Sequence, residues 1–162
     1  MRLEIKTHFM EKAVVDANVF IHGRGSYPFN KAVTSQDVVD ELQSDHGKNM
    51  LRTVNYTVKA PSENSVKLVR EKSKELNSPT SEADEKLLAL ARDSDLMLLT
   101  DDIALQNLAL HLDLDFQGFL EDEVDNKFRW IKICKNCGGK FTKEKCSSCG
   151  STRLRRKQVR CS

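Results

Sequence analysis

The sequence predicts an α/β fold, a parallel sheet flanked by helices, followed by a small cysteine-rich module. Three observations carry that prediction. Short β-branched or leucine-rich runs alternate with amphipathic helical stretches, the pattern of strand–helix–strand units. Leu96–Thr100 is apolar without alternation, as in a strand covered on both faces. After residue 127 the apolar periodicity stops, and two Cys-x-x-Cys-Gly knuckles take its place. A chain of 162 residues has room for one ordinary domain and an appendage of this kind.

Val14–Asp16 reads as the first strand, with Asp16 at its carboxyl end, where parallel sheets build their sites. Asn18–His22 opens a short helix, and Gly23–Pro28 breaks it. Residues 35–46 form a helix with Val38, Val39 and Leu42 inward; Asp37 and Glu41 stand four apart on it. Residues 51–58 read as a second strand, because Val54, Tyr56 and Val58 alternate with polar residues. Pro61 stops it, and Ser62 caps a helix to about Leu76 with Val66, Val69, Ser73 and Leu76 inward. Lys67, Arg70, Lys72 and Lys74 then form a solvated face.

Pro79–Ser81 starts a further helix through about Asp93, with Ala83, Leu87, Leu90, Ala91 and Ser94 inward. After the Leu96–Thr100 strand, residues 102–112 form a helix on Ile103, Leu105, Leu108, Ala109 and Leu112, and Leu114–Leu120 adds a last short strand. The expected division is a domain over 12–120, an acidic linker over 121–127 and a separate module over 128–162.

Charge divides in the same place. Residues 1–127 carry 15 Lys and Arg against 23 Asp and Glu, a net of −8. Residues 128–162 carry 11 against 1, a net of +10. Such asymmetry points to a polyanion partner for the basic end. Four of the five Cys fall in the knuckles, a metal spacing and not a disulfide framework, so a reducing compartment is expected. No apolar run reaches 18 residues, and no secretory signal is present, so a soluble cytoplasmic protein with no membrane partner is expected. Met10 is an alternative start, which would leave residues 1–9 outside the fold.

Two apolar strands that each end in carboxylate, Asp16 and the Asp101-Asp102 pair, suggest a divalent-metal site. A buried carboxylate without a partner is costly, and Asp16 follows an apolar run. Structural explanations exist for the other acids. Ser81 and Asp84 have capping-box spacing, Asp101 or Asp102 fits an N-cap, and Glu41 fits a helix surface. His8, His22, His46 and His111 read as surface or packing residues.

In order, Asp16-Ala17-Asn18, Val38-Val39-Asp40-Glu41-Leu42, the stretch Ser81–Ala91 around Asp84, and Leu98-Leu99-Thr100-Asp101-Asp102 resemble the motifs of PIN-domain ribonucleases over residues 12–120. The resemblance implies a PIN-like fold with catalytic acids Asp16, Glu41, Asp84 and Asp101, and Asp102 as an additional candidate. It implies Mg²⁺ or Mn²⁺ held by Asp16, Asp84 and Asp101, with Asp16 and Asp101 on the principal ion. Glu41 and Asp84 would complete a second site or orient waters. The doubled Asp101-Asp102 leaves open which carboxylate is the ligand, and Thr100 takes the small-hydroxyl position.

Cys134-Lys-Asn-Cys137-Gly138 and Cys146-Ser-Ser-Cys149-Gly150 stand eight residues apart. Four thiolates suit a closed tetrahedral Zn²⁺ site on which such a module depends for folding, and the spacing resembles a zinc ribbon. Cys161 is a spare thiol. Lys132, Lys135, Lys140, Arg153, Arg155, Arg156 and Lys157 are candidate RNA contacts, with Lys143, Lys145 and Arg160 beside them. Phe128, Trp130 and Phe141 interleave with these charges and either stack on bases or pack the module.

A PIN-like domain followed by a zinc ribbon resembles the Nob-type endonucleases. That resemblance implies an archaeal endoribonuclease that cleaves precursor small-subunit (16S) rRNA at its 3′ end. Its partners would be that rRNA, the pre-ribosomal small subunit and other assembly factors. Two other readings stand beside it. A VapC-type PIN toxin ribonuclease generally lacks a ribbon, and a non-catalytic RNA-binding adaptor of the pre-ribosome would not need all four acids.

Overall fold

The computed structural model describes residues 8–23, 25–44, 48–141 and 144–161. Its main sheet has five parallel strands: β1 (Met10–Val15), β2 (Phe29–Thr34), β3 (Tyr56–Val58), β4 (Leu98–Leu99) and β5 (Phe116–Gln117). The spatial order is β3-β2-β1-β4-β5. β1 is therefore central, and Ala13, Val14 and Val15 lose all exposure. The connecting helices are α1 (Ala17–Gly23), α2 (Gln36–Ser44), α3 (Lys48–Leu51), α4 (Glu63–Glu75), α5 (Glu82–Ser94) and α6 (Ile103–His111). An antiparallel hairpin of β6 (Phe128–Cys134) and β7 (Leu154–Arg160) follows.

Helix starts follow local chemistry. Ser62 accepts the Ser65 N–H at the head of α4, and Ser81 with Asp84 closes a reciprocal capping box on α5. Asp102 caps α6 by accepting the Ala104 and Leu105 N–H groups.

The elements differ from expectation in a few places. The sequence does not foreshadow β2, because Asn30 and Lys31 interrupt its apolar residues; Asn30 instead binds Glu11 Oε2 across the strands at 2.7 Å. The expected strand over 51–58 shrinks to Tyr56–Val58, and Leu51 is buried at the end of α3. In α6 the inward stripe is shifted. Ile103 is 50% exposed, while the polar Gln106 and Asn107 are fully buried. Residues 1–7, the end of the helix expected over 35–46, His46 and Lys143 lie outside the described residues.

Those buried amides explain the shift, since they fasten the C-terminal segment to the sheet domain. Asn107 donates to the Phe128 carbonyl (2.9 Å) and accepts the Phe128 N–H (3.0 Å), as a neighbouring strand would. The His111 ring meets the same carbonyl at 3.0 Å. Trp130 N–H donates to the Leu76 carbonyl at 2.9 Å, and the Asn77 amide donates back to the Trp130 carbonyl at 3.0 Å. The stretch expected as a linker is tied as well, because Val124 N–H donates to Gln106 Oε1 at 2.9 Å. Among the described residues no helix is long and apolar enough to cross a membrane.

Candidate active site and metal centre

Register brings the first two site residues together. Val15 pairs with Leu99 across β1 and β4, so the next residues, Asp16 and Thr100, are neighbours at the carboxyl edge. Asp16 N–H donates to the Leu99 carbonyl (3.1 Å), and the Thr100 hydroxyl donates to Asp16 Oδ2 (2.8 Å). Ala17 N–H donates to Asp16 Oδ1 at 2.7 Å. The same Thr100 hydroxyl accepts the Asp102 N–H (3.1 Å), and Gln106 Nε2 fixes the Thr100 carbonyl at 2.7 Å. Asp16 is 7% exposed. Burial, helped by the charges of Asp84 and Asp102, pushes its carboxyl up to about 6 against the Thr100 and Ala17 hydrogen bonds.

The neighbouring acids divide into two kinds. Asp102 holds two helix amides with Oδ1 alone, which leaves Oδ2 for the site. Asp84 gives Oδ2 to the Ser81 N–H at 2.9 Å and keeps Oδ1. Asp101 differs from both. Its carboxylate accepts the N–H groups of Phe119 (2.6 Å), Leu120 (3.0 Å) and Glu121 (3.2 Å), so it clamps the loop after β5. Asp101 thus gives its carboxylate oxygens to backbone amides, whereas Asp102, whose N–H meets Thr100, is the neighbour whose charge reaches Asp16. Glu41 is exposed on α2. Its helix is held beside α5 by the Asp37–Lys86 ion pair at 3.3 Å, two residues beyond Asp84.

The acids stand in an open arrangement. A hard ion such as Mg²⁺ or Mn²⁺ that keeps several waters and takes one or two carboxylates fits it better than a closed cage would. A closed cage occurs elsewhere. Cys134, Cys137, Cys146 and Cys149 bring their sulfurs within 4.8 Å of one another. The Cys134–Cys149 and Cys137–Cys146 sulfur pairs stand 3.6 and 3.5 Å apart. Tetrahedral ligation at about 2.3 Å per sulfur requires separations of about 3.8 Å, so the cluster fits Zn²⁺. Asn136 N–H points at Cys134 Sγ and Ser148 N–H at Cys146 Sγ, at 3.3 and 3.4 Å. Backbone N–H groups of Cys149 and Ser148 pull the Cys146 thiol down to about 6. The neighbouring Cys146 sulfur pushes Cys137 up to about 11, as when one thiol of a close pair keeps its proton until a metal displaces it. Gly138 and Gly150 take positive φ, 75° and 74°, where each knuckle turns.

The family of this arrangement is found by comparison. A family described as the PIN domain of ribonuclease matches residues 13–93. An endoribonuclease Nob1 of Archaeoglobus fulgidus is 30% identical over 155 residues, which span 91% of this chain and 92% of its own. The chain belongs to the Nob1 family of PIN-domain endoribonucleases. It is thus an RNA-cleaving enzyme. The Nob1 endoribonuclease of Methanocaldococcus jannaschii is 28% identical, over 96% of this chain and 82% of its own. Ribonuclease VapC1 of Thermoplasma acidophilum matches at 35%, but over only 43% of this chain and 37% of its own. The Nob1 likeness therefore extends into the Cys module, as the toxin reading would not require.

Some of the expected contacts rearrange. Trp130 and Phe141 are 5% and 7% exposed, and Trp130 packs edge-on against Phe128 with centroids 4.9 Å apart. Phe141 packs the module and Trp130 is buried against Phe128, so neither offers a stacking face. Lys132, Lys135, Lys140, Arg153, Arg155, Arg156 and Lys157 all keep some exposure, and among the described residues no cation after residue 127 is in an ion pair. Lys132 stands directly opposite Arg156 in the hairpin, a repulsive pair that a polyanion would relieve. On α4, Arg70 pairs with the buried Glu85 at 3.1 Å and Lys72 with Glu75 at 2.9 Å, while Lys67 and Lys74 line a groove of about 790 Å³. None of Asp16, Asp84 or Asp102 lines that groove.

The sequence reading missed Gln106 and Asn107 as positioning residues. Their signal was there: two amides inside an otherwise apolar helix, Ile-Ala-Leu-Gln-Asn-Leu-Ala-Leu.

Proposed function

We propose that the chain is a Mg²⁺- or Mn²⁺-dependent endoribonuclease that cleaves precursor small-subunit rRNA near its 3′ end in the cytoplasm, during ribosome maturation. The single observation that carries metal dependence is Asp16, a buried carboxylate beside two others, Asp84 and Asp102. Like charges gathered in a poorly solvated place are costly unless a cation joins them. Asp16 and Asp102 would hold the principal ion, and Asp84 with Glu41 would orient waters around it. A divalent ion lowers the pKa of its water and stabilises charge on the phosphate. The Thr100 hydroxyl would orient Asp16 for that ion, and Gln106 holds Thr100 in place. The Cys module would hold structural Zn²⁺, and its unpaired cations would grip the rRNA backbone.

The test is cleavage of a single-stranded 3′-junction rRNA oligonucleotide with Mn²⁺ or Mg²⁺, against tRNA as control. The junction should be cut only with metal, and tRNA should stay intact. Replacing Arg155, Arg156 and Lys157 by Ala should flatten the log–log salt slope of RNA affinity by about 2, from roughly −0.7 per neutralised phosphate. An unchanged slope would remove β7 from the RNA grip.

A further inference from the structure

A second recess begins one residue beyond Asp102. It is a groove of about 380 Å³ between the start of α6 and the foot of the hairpin, lined in part by Ile103, Val124, Lys127, Phe128, Gln158 and Arg160. Ile103 is 50% exposed, an unusual position for a large apolar residue at a site edge, and Phe128 is half-buried. Arg160 stands opposite Phe128 in the hairpin register. Cys161 N–H donates to the Lys127 carbonyl at 2.9 Å, which closes the foot and fixes Lys127 beside Arg160. Asp125 also lines the groove, but its carboxylate accepts the Asn126 amide at 2.6 Å, and neither Lys127 nor Arg160 is in an ion pair among the described residues.

We propose that this groove is a subsite for one unpaired nucleotide of the RNA strand, adjacent to the scissile phosphate. The inference rests on the nuclease reading above and adds where the strand lies. The base would rest on Ile103, Val124 and the ring of Phe128, with the Gln158 amide at its edge. Arg160 and Lys127 would hold the flanking phosphate. The volume is in the range of a small-ligand pocket and excludes a duplex. Two features favour RNA over a protein segment. The groove touches the acid cluster through the Asp102–Ile103 bond. It also continues the exposed cations on one face of β7, so a backbone gripped at Arg156 runs along that face, past Gln158, to Arg160 and then to the acids. β7 thus serves as a track between the Cys module and the site.

The experiment uses the full chain and a single-stranded RNA oligonucleotide with 4-thiouridine walked through each position around the cut bond. Crosslinking is done in EDTA, so that binding is read without cleavage. One thiouridine position, next to the cut bond, should crosslink to the peptides that hold Ile103 or Lys127-Phe128. Arg160→Glu should lower RNA affinity about tenfold and abolish that crosslink, and Ile103→Ala should weaken the crosslink while keeping backbone affinity. Lys74→Glu, the same charge change on α4, should do neither. Wild-type affinity in Arg160→Glu, or crosslinks at no position to this groove, would overturn the subsite and leave the groove to a protein contact. Wild-type protein that crosslinks here but never cuts the unmodified RNA with Mn²⁺ or Mg²⁺ would instead break the metal-dependent nuclease reading, with the subsite intact.

Discussion

The chain builds two candidate metal sites by opposite means. At the carboxyl edge of the sheet, Asp16, Asp84 and Asp102 come from three separate parts of the chain, and Asp16 is buried within reach of the charges of the other two. A large core pays for this, with Val14, Val15, Leu98, Leu99, Leu87, Leu105 and Leu108 among its fully or almost fully buried members. In the hairpin module the four ligands lie within 16 residues of sequence, and the module's own core is Cys134, Phe141 and Cys146 with Leu154 against it. The acids of the first site are held in place by the fold itself. The apolar core of the second is too small to order the knuckles, so an ion on its four sulfurs would supply that order. Distance in sequence between ligands is thus a guide to which partner, protein or metal, supplies the order.

The sharpest way to break that comparison is chelation. Removing Zn²⁺ should cost the knuckles, residues 134–150, all amide protection from hydrogen exchange. The helix signal of α1–α6 should stay, and the foot of the hairpin at Phe128 and Trp130 should keep its protection through Asn107 and Leu76. Collapse of the helix signal would mean that the two regions share one stability.

The next largest effect is at Asp16. Asp16→Asn should lower cleavage by about 10³-fold, about 4 kcal/mol of barrier, while RNA binding persists. The same change should stabilise the metal-free protein at pH 7. With its carboxyl held up at about 6, against 3.8 ordinarily, the folded state binds the proton more tightly than the unfolded one. Stability of the metal-free wild type should therefore fall as pH rises from about 4 to about 6, by an amount on the order of 3 kcal/mol. Melting across that range checks the sign, and Asp16→Asn should flatten the slope. A wild-type slope of opposite sign would show that burial does not hold the Asp16 carboxyl up.

A smaller and more selective effect separates the paired aspartates. Asp102→Asn should reduce cleavage by about a hundredfold with little change in melting temperature, because Asn is as good an N-cap as Asp. Asp101→Ala should do the reverse. It should cost about 1–3 kcal/mol, since three loop amides lose their acceptor, with activity within a few-fold of wild type. Equal loss of activity in both would return Asp101 to the site.

Much of this was readable from the chain, and the failures have physical causes. The Leu96–Thr100 run, the caps at Ser62 and Ser81 and both knuckles are local patterns, and the structure has an element or turn at each. β2 was hidden because Asn30 and Lys31 serve cross-strand and edge roles that only the assembled sheet defines. The two aspartates could not be told apart, because what separates them is a loop about 20 residues away that supplies amides to Asp101. Gln106 and Asn107 were legible as oddities but not as roles, since their partners, Val124 and Phe128, lie in a segment whose sequence reads as a linker.

The order of strands has one more effect, and it concerns time. β1 sits between β2, which follows it closely in the chain, and β4, which comes far later; the Asp16–Thr100 bond spans 84 residues. A chain growing at about 5–20 residues per second makes Asp16 roughly 4–17 s before its hydroxyl partner, and Asp102 later still. The first three strands can pair while the rest is being translated, but that half-sheet holds no acid cluster. An enzyme that cuts RNA is made beside an RNA, its own message. Threading the central strand first and closing it last means that these acids can gather only once nearly the whole domain has been made.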